Sequence, residues 1–424
     1  MKHIAISAIL LLAIGKASVS VAASGSEATE HKHGSHPECP LPKSAMDVVA
    51  CAMAESPMAK RARLATDQSK SLVDIAGQIP NPEIDIQSAT GRKDGGDASS
   101  TDIGLLQPIE WGGRRSARIS SAEAQGKILS AEQREVQADL VRETVRNLHR
   151  LRQVEIEKSL LKETVETLER IISQQSSRPA LAPDQQVTLT VYRMALADAK
   201  IKQSEMFEEE RKLEHYFHVS TGHSLAELKP VLPAAPTDWP EIPKIAGESS
   251  PAIMKAMADR DFALARLSNE KSLVWPQLRL GPMAKLERNS VQNENLYGLR
   301  LMMDLPVFNQ NGAGRAYANV AVAQSETLIQ LTRDEESHER AEQTKVYASA
   351  VETLKNSPSV DSILKDFNRS QGAVRRGLIA GSLLIELHRQ RSELIRSRNG
   401  RELRAIEALW LVHKFDGRIF TETP

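Results

Sequence analysis

Apolar and polar positions along this chain change their period partway, and the whole change then happens a second time. Around Ile84-Asp85-Ile86-Gln87 the two kinds alternate, the signature of a strand with one covered face. Leu278-Arg279-Leu280 alternates in the same way. Gly91 to Ser100 is rich in Gly, Asp and Ser, which predicts a hairpin with strands at about 84–90 and 101–109. A second hairpin is expected at about 278–287 and 295–306, with its turn at 288–294. Pro108 and Pro306 have no N–H for a ladder and are expected to close the strands. From Ser116 the spacing turns helical. Val141, Val145 and Leu148, then Leu161, Val165, Leu168 and Ile172, recur at four and three, a coiled-coil seam. Residues 116–172 as one helix would be roughly 85 Å long, which suits a tube or bundle better than a compact domain. Pro179 and Pro183 break it, and a return helix runs to about Phe217. The second copy is expected to run down from Ala316 to about Leu354 and back from Ser382 to His413.

These elements form two tandem copies of one unit. Ser56-Pro57-Met58 and Ser250-Pro251-Ala252 each open a helix that ends just before a strand. The turns after the strands read Gln107-Pro108-Ile109-Glu110-Trp111-Gly112-Gly113-Arg114 and Leu305-Pro306-Val307-Phe308-Asn309-Gln310-Asn311-Gly312-Ala313-Gly314-Arg315. Pro108, Gly112, Gly113, Pro306, Gly312 and Gly314 thus mark the passage from strands to helices. In the return arms Pro183 aligns with Gly381, Leu189 with Leu387 and Arg193 with Arg391. The first repeat is assigned to 44–221, with its helical hairpin at 116–217. A link with five prolines follows at 222–249. The second repeat is 250–414, with its hairpin at 316–413, and 415–424 is a tail.

The start of the chain carries an address. Lys2 and His3 precede the apolar run Ile4–Ile14, and Val21-Ala22-Ala23 gives a small-residue exit, so 1–23 reads as a secretory signal. The run is too short to span a bilayer, and no other stretch approaches the roughly 20 apolar residues required. Residence in a membrane would therefore need a β-barrel. Residues 24–43 form a polar, His-rich leader. Cys39 lies well downstream of the cleavage point, so no lipid anchor is expected. An oxidising compartment permits a bond between Cys39 and Cys51, and the sequence leaves that open. Acidic and basic residues balance at 55 each, which gives no bias toward nucleic acid. Aromatics are only 4% of the chain, low for an enzyme with a large mixed core.

The order helix, Asn-Pro-x-apolar strand, strand, Pro turn with Gly-Gly-Arg, long helical hairpin, repeated twice, resembles the TolC-type outer membrane factors. The similarity covers about 44–414 and is nearest to heavy-metal efflux subunits of the CzcC and CusC kind. It implies a mostly α protein with a small β part, in which tandem long helical hairpins form a periplasmic tunnel. It also implies a homotrimer in which four strands per protomer build a 12-stranded outer-membrane β-barrel set in lipid. The implied function is passive exit for a substrate driven by an inner-membrane pump, of the resistance-nodulation-division type, through a periplasmic adaptor (membrane fusion protein). Heavy-metal cations are the first expected cargo, and drugs or other small organic molecules the alternative. By the same resemblance Arg376-Gly377-Leu378 matches the tip that meets the adaptor, whereas the first tip, Pro179-Ala180-Leu181, departs from it. The positions aligned with the family's acidic aperture ring are Ile385 and His388, with Glu386 between them. Three copies of His388 around a threefold axis would titrate near neutral pH or hold a soft metal ion.

Other candidates rest on residue chemistry. His31, His33, His36 and Cys39 offer imidazole and thiolate, which suit zinc, copper or nickel, although their spacing matches no fixed zinc framework. His215 and His218, near His223, read as capping a helix C-terminus. Met194 and Met206 read as packing along a helical seam, and Glu143 with Arg146 as surface charge. There is no G-x-S-x-G, P-loop or H-E-x-x-H, so neither an enzyme nor a cofactor is expected. Two rival readings remain. A periplasmic adaptor would carry one hairpin where this chain has two, and a soluble metal-binding protein would leave the repeat without a purpose.

Overall fold

The computed structural model describes residues 39–93, 96–178, 180–243, 250–289, 292–376 and 383–422. The expected signal, His31, His33, His36, Gly377 and Leu378 lie outside them. From Cys39 onward the chain forms one compact unit.

Two short helices lead in, α1 (Ala45–Glu55) and α2 (Pro57–Gly77). Ser56 caps α2 by accepting the Ala59 N–H at 3.1 Å, and Pro57 takes the first helical position, where no donor is needed. The second copy repeats the device. Ser250 accepts the Ile253 N–H at 3.1 Å and Pro251 opens α6 (Pro251–Ser272). Strands β1 (Glu83–Lys93) and β2 (Gly96–Ile109) follow α2, and β3 (Leu278–Arg288) and β4 (Asn293–Met303) follow α6. The four make one antiparallel sheet in the order β1-β2-β3-β4, so β2 of the first copy pairs with β3 of the second.

The first hairpin is longer than its composition suggests. Its ladder continues to Lys93 opposite Gly96, so most of the Gly/Ser-rich segment expected as a loop is strand. Cross-strand hydrogen bonding set by Ile84–Leu105 and Ile86–Ile103 carries the pairing through residues of poor strand propensity. In contrast, β4 stops at Met303, short of Pro306, while β2 passes through Pro108, which pairs with Arg279.

Helix α3 (Arg114–Ser176) has 63 residues, roughly 95 Å of rise, with no internal proline. It returns as α4 (Pro183–Thr221), which has Pro183 at its first position and Gly222 past its end at φ 75°. The tight turn α5 (Leu225–Leu228) belongs to the link between copies. In the second copy α7 (Gly312–Asn356) ends at Ser357-Pro358-Ser359, α8 (Val360–Arg375) resumes the descent and α9 (Leu383–Phe415) returns. Helix α3 is the spine, packed against α1, α2, α4, α6 and α9.

The main core lies at mid-height along α3. Val141, Val145, Leu148, Leu151 and Val154 meet Val48 and Val49 of α1, Phe217 of α4 and Trp410 of α9. The proline-rich link joins this core: Leu225 and Leu228 are buried in it, and Trp239 packs 6.1 Å from Tyr347 of α7. Among the described residues no helix is long and apolar enough to cross a membrane.

Candidate functional site

The sheet has two chemically different faces. Strand register puts Ile84, Leu105, Pro282 and Leu299 in one row, and Ile86, Ile103, Ala284 and Tyr297 in the next. Ile109, Leu278 and Met303 lie at one end of the same face. Large apolar side chains here stand in the open: Leu299 is 78% and Tyr297 80% exposed. From Leu278 to Leu286 this face spans roughly 27 Å of strand, or about 20 Å along a bilayer normal at the usual barrel tilt. Leu286 already shares its row with Ser88, Thr101 and Asn295, and the next row (Thr90, Ser99, Arg288, Asn293) is polar throughout.

The opposite face is charged. Arg300 of β4 pairs with Asp85 of β1 and, at 3.4 Å, with Asp102 of β2. Its side chain passes over Gly104, where an added Cβ would sit 3.7 Å from Nη1. Arg279 and Glu83 pair nearby at 3.5 Å. Gly281 lets β3 approach β2 closely, since a Cβ there would fall 1.7 Å from the Leu105 carbonyl oxygen. An apolar outer face and an ion-paired inner face match a wall between hydrocarbon and water.

Where strands become helices, the glycines read from sequence have steric reasons. Gly112 and Gly113 have φ of 66° and 83°, the left-handed region that favours glycine. A Cβ on Gly112 would meet Trp275 at 2.2 Å. Trp111 stacks at 5.4 Å on Trp275 and donates its ring N–H to the Pro276 carbonyl, and Arg114 donates to the Trp275 carbonyl at 2.6 Å. The turn of one copy is thereby bonded to the strand entry of the other. In the second copy the left-handed residue is Asn311, at φ 53°, which donates to Glu270 Oε2 at 2.7 Å. A Cβ on Gly314 would strike that same carboxylate at 2.5 Å, whereas Gly312 faces open space.

The aperture candidates do not share one surface. His388 is 2% exposed and lies inside the protomer, where Nδ1 is 2.9 Å from Thr164 Oγ1 of α3 and the ring packs 4.8 Å from Phe367 of α8. Burial, then the neighbouring Arg391 charge, lowers its pKa to about 4, with Glu163 opposing. It is an interior residue, which corrects its expected place on a threefold axis. Ile385 packs on the cluster of Val165, Leu168, Tyr192 and Ala199. Glu386 is exposed and accepts from Arg389 at 2.7 Å and from Gln390 at 2.6 Å. Arg376 is an exposed turn residue at the described end of α8.

Cys39 and Cys51 are joined in a disulfide, so Cys39 has no thiolate to offer a metal and leaves the candidate metal set. Among the described residues no group of three His, Cys, Asp or Glu is placed to hold a metal ion.

Several side-chain readings change. Met206 is buried, but Met194 lies on an exposed stripe of α4 with Val187, Val191 and Ile201. Arg146 pairs across to Glu407 of α9, not with Glu143 one turn away. His218 is in the last turn of α4, where its carbonyl accepts the Gly222 N–H at 3.0 Å. Sequence reading missed the polar staples between hairpins. Arg150 of α3 bonds Glu209 of α4 at 2.6 Å and Glu157 at 3.0 Å, and Asn399 of α9 donates to Glu157 at 2.6 Å. Their signal was present as charged residues within an apolar seam.

With this geometry in place, comparison with known proteins is specific. The sequence profile of the outer membrane efflux protein family matches residues 49–206. The cobalt-zinc-cadmium resistance protein CzcC of Cupriavidus metallidurans is 26% identical over 279 residues, 63% of this chain and 65% of that protein. The fold resembles the Campylobacter jejuni CmeC outer membrane channel at a TM-score of 0.67 and 12% identity, over 90% of this chain and 87% of the other. CusC aligns at 0.64 and 13% identity over 89% and 98%. The Neisseria gonorrhoeae MtrE outer membrane channel aligns at 0.65 and 15% identity over 89% and 91%. The profile of the outer membrane efflux protein family thus matches within the first repeat, and the fold shared with solved outer membrane channels runs through both.

Proposed function

We propose that three copies of this chain close one channel through the outer membrane and continue it as a helical tunnel in the periplasm. The observation that carries this reading is the two-faced sheet with β1 and β4 as open edges. Unpaired edge groups are not tolerated in hydrocarbon, and four strands are too few to close. Neighbouring copies pair both edges. The exposed stripe of α4 (Val187, Val191, Met194, Ile201) and the exposed Tyr317, Val320, Leu328 and Leu331 of α7 supply apolar surface for the same association. In this role the chain is a passive exit and makes or breaks no bond. An inner-membrane pump of the resistance-nodulation-division type and a periplasmic adaptor complete the path, with Arg376, Gly377 and Leu378 as the adaptor contact.

Heavy-metal cations are the proposed cargo. The support is the CzcC relative, named for cobalt, zinc and cadmium resistance, together with the imidazoles His31, His33 and His36. The test has two arms. Membrane fractionation and native mass measurement should find a trimer in the outer membrane, and a soluble monomer would remove the channel reading. A deletion strain should lose tolerance to zinc, cobalt or cadmium. Loss of tolerance to organic toxicants alone would reassign the cargo and leave the channel standing.

A further inference from the structure

The buried node around His388 holds more chemistry than packing requires. Arg391, 3% exposed, gives its Nη1 to Glu163 Oε2 at 2.7 Å and its Nη2 to the Leu160 carbonyl at 3.2 Å. Its guanidinium lies 3.8 Å over the Phe367 ring of α8. Glu163 also accepts from Gln371 of α8 at 3.3 Å. Arg391 thus ties α9 both to α3 and to the far half of α8. The near half of α8 is fixed separately, by Ile363 packed on Leu160 and Ile395.

His388 Nδ1 is 3.2 Å from Arg391 Nη2, which can only donate. Thr164 Oγ1, the other neighbour of Nδ1, spends its hydrogen on the Leu160 carbonyl at 2.8 Å. Arg391 Nη2 has the Leu160 carbonyl and Thr164 Oγ1 as acceptors, so Thr164 Oγ1 accepts from Nδ1–H at 2.9 Å and the ring lone pair is on Nε2. That atom is buried without a partner at a cavity of about 120 Å³ between α3, α4 and α9. The node admits a neutral imidazole in one tautomer.

We propose that protonation of His388 releases the far half of α8 from the bundle. A second ring proton has only Nε2 to occupy, where no acceptor receives it, and the imidazolium would lie 3.2 Å from the Arg391 guanidinium, cation against cation in a buried place. Other charges around the ring are already engaged. Glu163 of α3 is held by Arg391, Asp198 and Lys202 of α4 pair with each other at 2.9 Å, and Arg389 of α9 pairs with Glu386 and Glu393. Helix α8 contributes the Phe367 ring and the Gln371 amide, both neutral. Nothing nearby compensates the new charge, so Arg391 swings out, and its stack on Phe367 is lost with it. Helix α8 ends at Arg375 beside the second tip, so acid loosens the end of the bundle opposite the sheet.

The test is hydrogen exchange on the full chain in lipid nanodiscs, at pH 7.5 and pH 5, with rates corrected for the intrinsic effect of pH. A pKa of about 4 when locked, against about 6.5 when released, raises the opening constant roughly thirty-fold over that range. Protection over 367–375 should fall accordingly, while 360–366 and mid-α3 keep theirs. His388→Asn offers an amide N–H near the Nδ1 position and takes up no proton, so its α8 should hold at both pH values. Should that variant not assemble, Arg391→Gln replaces it, with an α8 already open at pH 7.5 and indifferent to acid. Equal pH responses in wild type and variant would overturn the proposal, as would loss of protection everywhere at once.

Discussion

Two adjacent glycines at the strand-to-helix turn give a test of residue-scale reading. Both Gly112 and Gly113 are left-handed, but only Gly112 lies against a side chain, Trp275. Gly113→Ala should cost about 1 kcal/mol for the backbone alone. Gly112→Ala should cost about 3 kcal/mol or more, because the Trp111–Trp275 pair must move as well. Urea midpoints of the two variants compare them directly. Buried histidines give a second test. Burial, then Arg152, holds the His149 pKa near 3. The unfolded chain takes up its proton near 6.5, so the native state binds fewer protons between those values. Stability should therefore be complete above about pH 6.5 and decline as pH falls toward 3, with a shallower slope in His149→Gln. The sequence showed the glycines, because after both Pro108 and Pro306 a pair of them precedes an Arg. It did not reveal which way His388 faces. That depends on α8 packing against α9, and the break at Ser357-Pro358-Ser359 that creates α8 has no counterpart in the first copy.

Strands and helices were legible wherever one period ran unbroken. The α3 seam and the alternation at Ile84 and Leu278 placed the elements within a few residues. The hairpin end was misplaced because Gly91, Ser99 and Ser100 carry loop composition while their backbones stay in the ladder. Asp94-Gly95, a dipeptide favoured in two-residue hairpin loops, was the available signal. The sheet makes its own prediction. Leu299→Arg puts a charge on the apolar face and should reduce barrel insertion by about 2–4 kcal/mol, while Leu296→Arg, three residues away on the charged face, should be nearly neutral. The measure is the heat-resistant assembled fraction in outer membranes. At the other end of the fold, the Cys39–Cys51 bond closes a 12-residue separation onto α1, which packs on the main core. Reduction should lower stability by about 3 kcal/mol, read as a shift in thermal midpoint that Cys39→Ser reproduces without reductant.

On the scale of the whole molecule, the duplication explains why so much could be read from one sequence. Most elements appeared twice, and agreement between copies separated pattern from accident. What one chain cannot display is its contact with other copies, for which the exposed stripe Val187, Val191, Met194 and Ile201 is the proposed surface. Val191→Glu with Met194→Glu should shift native mass from trimer toward monomer while leaving the helix signal in circular dichroism unchanged. The order of the sheet has a further consequence. Strand directions alternate from β1 to β4, so the last strand of any copy runs opposite to the first strand of the next. Such a seam satisfies its hydrogen bonds whether two, three or four subunits complete the circle. Stoichiometry is therefore dictated by the wedge angle between packed helices, and mutations that miscount subunits should be sought in the coiled arms, well away from the lipid.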